Sequence, residues 1–143
     1  MSHVDTDGGL YLLLIADTDV SDLVADRVYP GRASQSAEYP RITIQRISTP
    51  RLIDMQGPSG LAFPRTQVDL WSRSPEEIKT LAHAVRELLH GYSGPLGDEV
   101  AQLVHLVDQH ESTEDADDAS GEPVFRIRYD FRIAAEESRP NRL

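Results

Sequence analysis

The sequence contains no cysteine. That excludes a disulfide framework, a thiolate metal site and a cysteine nucleophile. Aromatic residues make up only 6%, with a single tryptophan, and Lys79 is the one lysine among 14 basic residues. The longest uninterrupted apolar run, Leu10 to Ala16, is seven residues, against the about 20 that a membrane-spanning helix needs. Met1 to Gly9 carries Asp5 and Asp7 and no basic residue, so it lacks the basic start of a secretory signal. The expectation is a soluble protein that stays in the compartment where it is made. Glycines are scattered: there is no Gly-x-Ser-x-Gly nucleophile elbow and no glycine-rich phosphate loop.

What is present is ordinary for one domain. A chain of 143 residues buries roughly 68% of its unfolded surface and needs no staple. Hydrophobic residues are 39% and charged residues 27%, with a net charge of −10. That charge makes general nucleic-acid or anionic-membrane binding a poor fit. Seven acids (Asp108, Glu111, Glu114, Asp115, Asp117, Asp118, Glu122) fall in one stretch without a Lys or Arg, so it holds −7 and the rest only −3.

Periodicity predicts the elements. A hydrophobic helix spans Gly9–Ala16, and Asp17-Thr18-Asp19 can cap a second over Asp19–Ala25. Arg41–Ser48 is β-branched and of strand length, with Ile42 and Ile44 on one face. Thr49–Arg65 holds three prolines and two glycines and reads as a long loop. Its apolar Leu52, Ile53, Met55, Leu61 and Phe63 point to contact with another molecule. Thr66–Ser72 alternates, placing Val68 and Leu70 opposite Gln67, Asp69 and Trp71. It can pair with Arg41–Ser48 as a long-looped hairpin. Trp71 is then either part of a second core layer or an anchor for a partner.

Ser74-Pro75-Glu76-Glu77 is a helix start, with Ser74 as cap and Glu77 closing a capping box. Ile78, Leu81, Ala82, Val85, Leu88 and Leu89 then form one apolar stripe, and Gly91 stops the helix. Glu99–Gln109 and Pro123–Ala134 read as strands, joined by the acidic stretch Asp108–Glu122 as a loop. In the last strand Phe125, Ile127, Tyr129, Phe131 and Ile133 share one face, and Arg126, Arg128, Asp130 and Arg132 the other. If covered, the stripe of Arg126, Arg128 and Arg132 needs carboxylates, which a neighbouring subunit could supply. A genome that favours arginine codons would explain the arginine excess equally well.

The expected fold is α+β in a single domain. A small, mostly antiparallel four-stranded sheet carries the Ser74–His90 helix on one face, with helices at the N-terminus. Residues 1–8 and 136–143 are expected to be flexible tails. Chemistry is sparse. His83 and His90 are seven apart, too wide for a zinc-binding pair, and His105 and His110 lack a supporting ligand pattern. Asp115, Asp117 and Asp118 invite comparison with an EF-hand loop, but Ser120 stands where that turn needs glycine. The stretch reads as a solvated loop, or as a surface that repels DNA or meets a basic partner. No catalytic residue, cofactor or metal is assigned.

The order of the segments resembles a family. Leu12-Leu13-Leu14-Ile15-Ala16-Asp17, Asp26-Arg27-Val28-Tyr29-Pro30 and Tyr39-Pro40-Arg41-Ile42-Thr43-Ile44 come first. Arg65-Thr66-Gln67-Val68-Asp69-Leu70-Trp71-Ser72 with its following helix, and Arg128-Tyr129-Asp130-Phe131-Arg132-Ile133, complete the pattern. Together they look like the tail completion, or tail terminator, proteins of long-tailed bacteriophages and gene transfer agents. The acidic stretch is longer and more negative than that pattern.

The resemblance implies a non-enzymatic virion protein in the neck region of the tail. It implies a homohexameric ring on the head-proximal end of the tail tube, with the tube protein and a head-side connector as partners. DNA passes the lumen without specific binding, and six copies at −10 each bring −60 to the ring. Leu52, Ile53, Met55, Leu61, Phe63, Trp71, Arg126, Arg128 and Arg132 are the candidate interface residues. Another head–tail connector ring, or a small ligand-binding α+β domain, is the competing expectation.

Overall fold

The computed structural model describes residues 3–31, 38–54, 57–115 and 121–136. Helix α1 spans Thr6–Ala16, starting inside the stretch expected to be a tail, because Asp5 caps it by accepting a hydrogen bond from the Gly8 N–H at 3.0 Å. Asp17 ends α1 and starts α2 (Thr18–Val24). Its N–H donates to the Leu13 carbonyl while its side chain accepts from the Val20 N–H at 3.1 Å. Two helices meet at one residue because aspartate suits an N-cap and its extended backbone halts the first helix.

Helix α3 (Pro75–Leu89) follows the predicted cap, with Ser74 accepting from the Glu77 N–H at 3.2 Å. The box closes differently from the expectation. Glu77 accepts from the Ser72 hydroxyl at 2.8 Å, and Ser72 in turn accepts from the Ser74 N–H at 3.1 Å. The helix start is thereby tied to the strand before it.

The sheet is larger than expected: among the described residues it has eight strands rather than four. They are β1 (Val28–Pro30), β2 (Arg41–Ser48), β3 (Arg51–Asp54), β4 (Gly57–Ala62), β5 (Arg65–Ser72), β6 (Gly94–Leu96), β7 (Glu99–Asp115) and β8 (Pro123–Glu136). Among the described residues β1 and β2 pair in parallel and the other pairs are antiparallel. The predicted strands at 41–48, 66–72, 99–109 and 123–134 are β2, β5, β7 and β8. The additional strands come from segments whose sequence reads as turn or loop.

The segment Thr49–Arg65 is the main correction. Past a register shift between Arg46 and Ser48, pairing continues through Ser48↔Arg65, Arg51↔Ala62, Ile53↔Pro58 and Asp54↔Gly57. The long loop is therefore the outer half of the same hairpin, and β4 also pairs with the end of β8 through Leu61↔Glu136 and Ala62↔Ala135. Prolines and glycines are tolerated there because breaks and edges relieve the ladder. The second correction is the acidic stretch. Asp108 to Asp115 is strand, and β7 pairs with β8 down to Asp115↔Pro123.

The three helices cover one face of this twisted sheet. Leu10, Leu14, Val20 and Val24 from α1 and α2 join Ile78, Leu81, Val85 and Leu89 of α3. They meet Ile42, Ile44, Val68, Leu70, Val104, Ile127, Phe131 and Ile133, all buried. Tyr129 is buried among them because its hydroxyl donates to the Ala82 carbonyl at 3.1 Å, and its ring meets Phe131 edge-on at 5.9 Å. Gly9 lets α1 approach the β6–β7 turn: a Cβ there would stand 2.5 Å from the Gly97 nitrogen. The end of α3 is stitched to β7, since Gly91 N–H donates to Val104 O, Val104 N–H to Tyr92 O, and Leu106 N–H to His90 Nδ1.

Candidate assembly surface

The face of the sheet away from the helices is polar, and strand register orders it into rows. Arg41, Trp71, Arg126 and Ser112 stand side by side across β2, β5, β8 and β7, as do Thr43, Asp69, Arg128 and His110. Next come Gln45, Gln67, Asp130 and Asp108, and then Arg65, Arg132 and His105. These rows follow from the alternation of β5 and β8, which puts every second side chain on this face.

The first two rows are linked through Asp69 and Trp71. Asp69 is 5% exposed although it points away from the helices, because arginines lie over it. Arg126 reaches it with Nε at 3.3 Å and Nη2 at 3.2 Å, and extends Nη1 to Glu114 at 2.9 Å. Gln67 donates to Asp69 at 2.7 Å, and Arg128 Nε lies 3.7 Å away. Burial acts to lower the pKa of Arg126, but its bonds to Asp69 and Glu114 outweigh that, and its pKa stands above the ordinary arginine value. Its guanidinium also covers the Trp71 ring at 4.7 Å. Arg41 lies 4.3 Å from the Tyr39 ring and 5.9 Å from Trp71, and Trp71 Nε1 donates to Thr43 at 3.2 Å. Such stacking uses the planar, weakly hydrated guanidinium that lysine lacks.

Two expectations change here. The carboxylates for Arg126 come from the same chain, through Asp69 and Glu114, rather than from a neighbour. Trp71 is neither core nor a bare anchor, but half-buried under Arg126. Arg128 is half-buried, while Arg132 is exposed. Leu61 and Phe63 are half-buried at the opposite end of β8 from its junction with the acidic stretch. Leu52 and Ile53 belong to β3, and Met55 lies outside the described residues. The register thus brings Trp71, Arg126 and Arg128 together, and leaves Arg132 in a separate row.

Sequence reasoning missed Asp69, Glu114, Tyr39, Arg41, Arg65 and His105. The signal lay in the alternation of β5, where a lone acid stands two residues from the tryptophan. Only the register shows which arginines oppose it.

The surface also carries apolar patches. Val100, Leu103 and Val107 of β7 are between 42% and 47% exposed, Ile47 of β2 is 51% exposed and Leu12 of α1 48%. A recess of about 200 Å³ lies between the start of α3 and the β7–β8 hairpin, lined by Ile78, Phe125 and Ile127 with Lys79 and Glu111 at its margin. Among the described residues, no three His, Asp or Glu side chains converge as metal ligands.

The fold is thus an α+β domain with one helical face and one arginine-rich sheet face. The profile of the family described as tail completion protein gp17 matches residues 8–136. The chain belongs to that family, a structural protein of the virion tail. Its fold is similar to that of a chain in the virion of a native gene transfer agent particle, with a TM-score of 0.70. The two are 18% identical, and the likeness covers 89% of this chain and 91% of that one. No curated protein matches the sequence.

Proposed function

We propose that copies of this chain close into a ring, six in number, on the head-proximal end of the tail tube. There the ring ends tube growth and receives the head-side connector. The observation that carries this reading is the family match over residues 8–136 joined to the open sheet face. One chain supplies Asp69 and Glu114 to Arg126 but leaves Val100, Leu103, Val107 and Arg132 exposed. A head-to-tail contact between different patches of neighbouring copies generates a ring when its rotation closes. The ring binds the last tube ring on one side and presents a different surface on the other, so no further tube subunit adds. The chain acts through shape and contact rather than through turnover of a substrate. At −10 per copy, a lumen faced by part of that charge lets DNA pass without sticking.

Within this reading, Leu52, Ile53, Met55, Leu61 and Phe63 of the Thr49–Arg65 segment reach a neighbouring copy or the tube, and Trp71, Arg126 and Arg128 shape the sheet face. Because β4 pairs with β8 through Leu61 and Ala62, the loop test has to spare those residues. Removing Met55 to Pro58 is expected to leave a folded chain that no longer joins heads to tails. Electron microscopy of particles lacking the chain tests the whole reading. Over-long tails support termination. Free tails of normal length would instead assign the chain to the head-side connector.

A further inference from the structure

The sheet face away from the helices turns apolar toward its β4 end. The register Ala62↔Ala135 and Arg65↔Arg132 puts Phe63 beside Ala134, and Ala134 faces Leu103 on β7. One row further, Leu61 and Val100 flank Glu136. Ala62, Ala101, Val104 and Ala135 are buried, so alternation turns Phe63, Val100 and Leu103 to the outer face. Ile47 stands at the register shift of β2, and Val107 at the second shift of β7. Ile47, Val100, Leu103 and Val107 are four of the five exposed large apolar side chains among the described residues. The row Arg65, Arg132 and His105 runs beside them. Arg132 is exposed and, among the described residues, has no hydrogen bond, ion pair or ring contact.

The fifth exposed side chain is Leu12, on α1. Leu10 to Ala16 is apolar throughout, and a helix apolar all round is normally covered on every side. Leu10 and Leu14 face the core, whereas Leu12 and Ala16 are exposed. α2 packs against α1 and brings charge. Residues 3–26 contain six aspartates and no Lys or Arg. Asp5 and Asp7 face Arg46, and Asp17 caps α2. Asp19, Asp22 and Asp26 are exposed, and among the described residues their carboxylates have no hydrogen bond or ion pair.

We propose that the outer surface of α1 and α2 of an adjacent copy docks on this apolar, arginine-edged end of the sheet. The proposal rests on the ring reading above and specifies one contact within it. Charge complementarity selects the occupant. Packing the sheet end on itself would set Arg65 and Arg132 of two copies against each other, and opposed like charges destabilise. Among the described residues, Leu12 is the exposed large apolar side chain outside the sheet end, and the unpaired aspartates of α2 accompany it. Asp108 and Glu111 are exposed as well, but both stand on β7, a strand of the receiving surface.

The same chain cannot make this contact, because its helices lie on the opposite face of the sheet. A head-to-tail contact uses such an arrangement: each copy gives its helical face to one neighbour and its sheet face to the other. Apolar burial supplies affinity, and the surrounding charges set orientation and partner choice.

The absence of cysteine provides the test. Leu12→Cys combined with Leu103→Cys puts one thiol on each surface of the full-length chain. Purified tails carrying this variant are treated with a short bis-maleimide. The expected result is a ladder of linked copies from the double variant and none from either single variant. Independently, Arg132→Glu is expected to lower the yield of joined particles about tenfold, and adding Asp19→Arg and Asp22→Arg to restore most of it.

Linked copies from Leu103→Cys alone would mean that the sheet end packs on itself, and would overturn the proposal. A link to a different protein, tails that hold the double variant without any link, or a charge reversal that α2 does not rescue would overturn it too. In each of these cases the ring reading stands. If wild-type chain is itself missing from tails, both fall.

Discussion

Asp69 is the residue whose removal tests the description of the sheet face most directly. It is an acid on the face away from the helices, yet nearly all its surface is covered, by Arg126, Arg128 and Gln67. Replacing it with alanine leaves two guanidinium groups without their shared anion. Breaking a buried ion pair by removing one partner costs about 3–5 kcal/mol. Arg126 keeps Glu114 at 2.9 Å, and Arg128 is partly exposed, with 38% of its side-chain surface accessible. The expected loss therefore lies at the lower end, about 3 kcal/mol. For a chain of this length that is a drop of about 10 °C in Tm.

Circular dichroism melts of Asp69→Ala against wild type measure it. The companion Asp69→Leu with Arg126→Met removes anion and cation together, and is expected to recover at least half of the lost stability, because a buried pair is replaceable by packed apolar groups. An Asp69→Ala melt within about 2 °C of wild type would refute the reasoning, showing that the arginines need no anion beneath them. So would a double variant as unstable as the single one.

Gly9→Ala is expected to destabilise by at least 1–3 kcal/mol, because the new Cβ meets the Leu96–Gly97 backbone within 2.6 Å; chemical denaturation reads it. Tyr129→Phe is expected to cost about 1 kcal/mol through the lost bond to the Ala82 carbonyl. Spectrophotometric titration should find this phenol ionising above the ordinary tyrosine value, since burial raises it and Arg86 only partly opposes. Asp7 has its pKa raised above 3.8 by burial, against the lowering effects of Arg46 and Thr66. The fold thus favours its neutral form, so this contribution is fully present below pH 3.8 and is lost as pH rises through the raised value. Asp7→Asn should accordingly gain on wild type between about pH 3 and pH 6. An unchanged difference in urea midpoints over that range would contradict the burial of the carboxylate.

Local chemistry made much of this molecule readable from its residues alone. Ser74-Pro75-Glu76-Glu77 and the stripe from Ile78 to Leu89 define α3 because capping and a 3.6-residue period act within a few turns. The alternation from Phe125 to Ile133 defines β8 and its two faces for the same reason. The order of such segments was enough to carry the likeness to tail completion proteins. The remainder depended on residues far apart in the chain. Thr49–Arg65 reads as loop because its prolines and glycines are loop formers in isolation. It is ladder because Ser48, Arg51 and Ile53 find partners across the same hairpin.

Asp108–Asp115 reads as a solvated acidic run, and becomes strand because β8 offers it a complete edge. Asp69 reads as one more exposed acid until register sets Arg126 and Arg128 beside it. A one-residue slip would place those arginines against the core. Pairing between distant segments settles burial and charge partners, and no periodicity within a single strand encodes it.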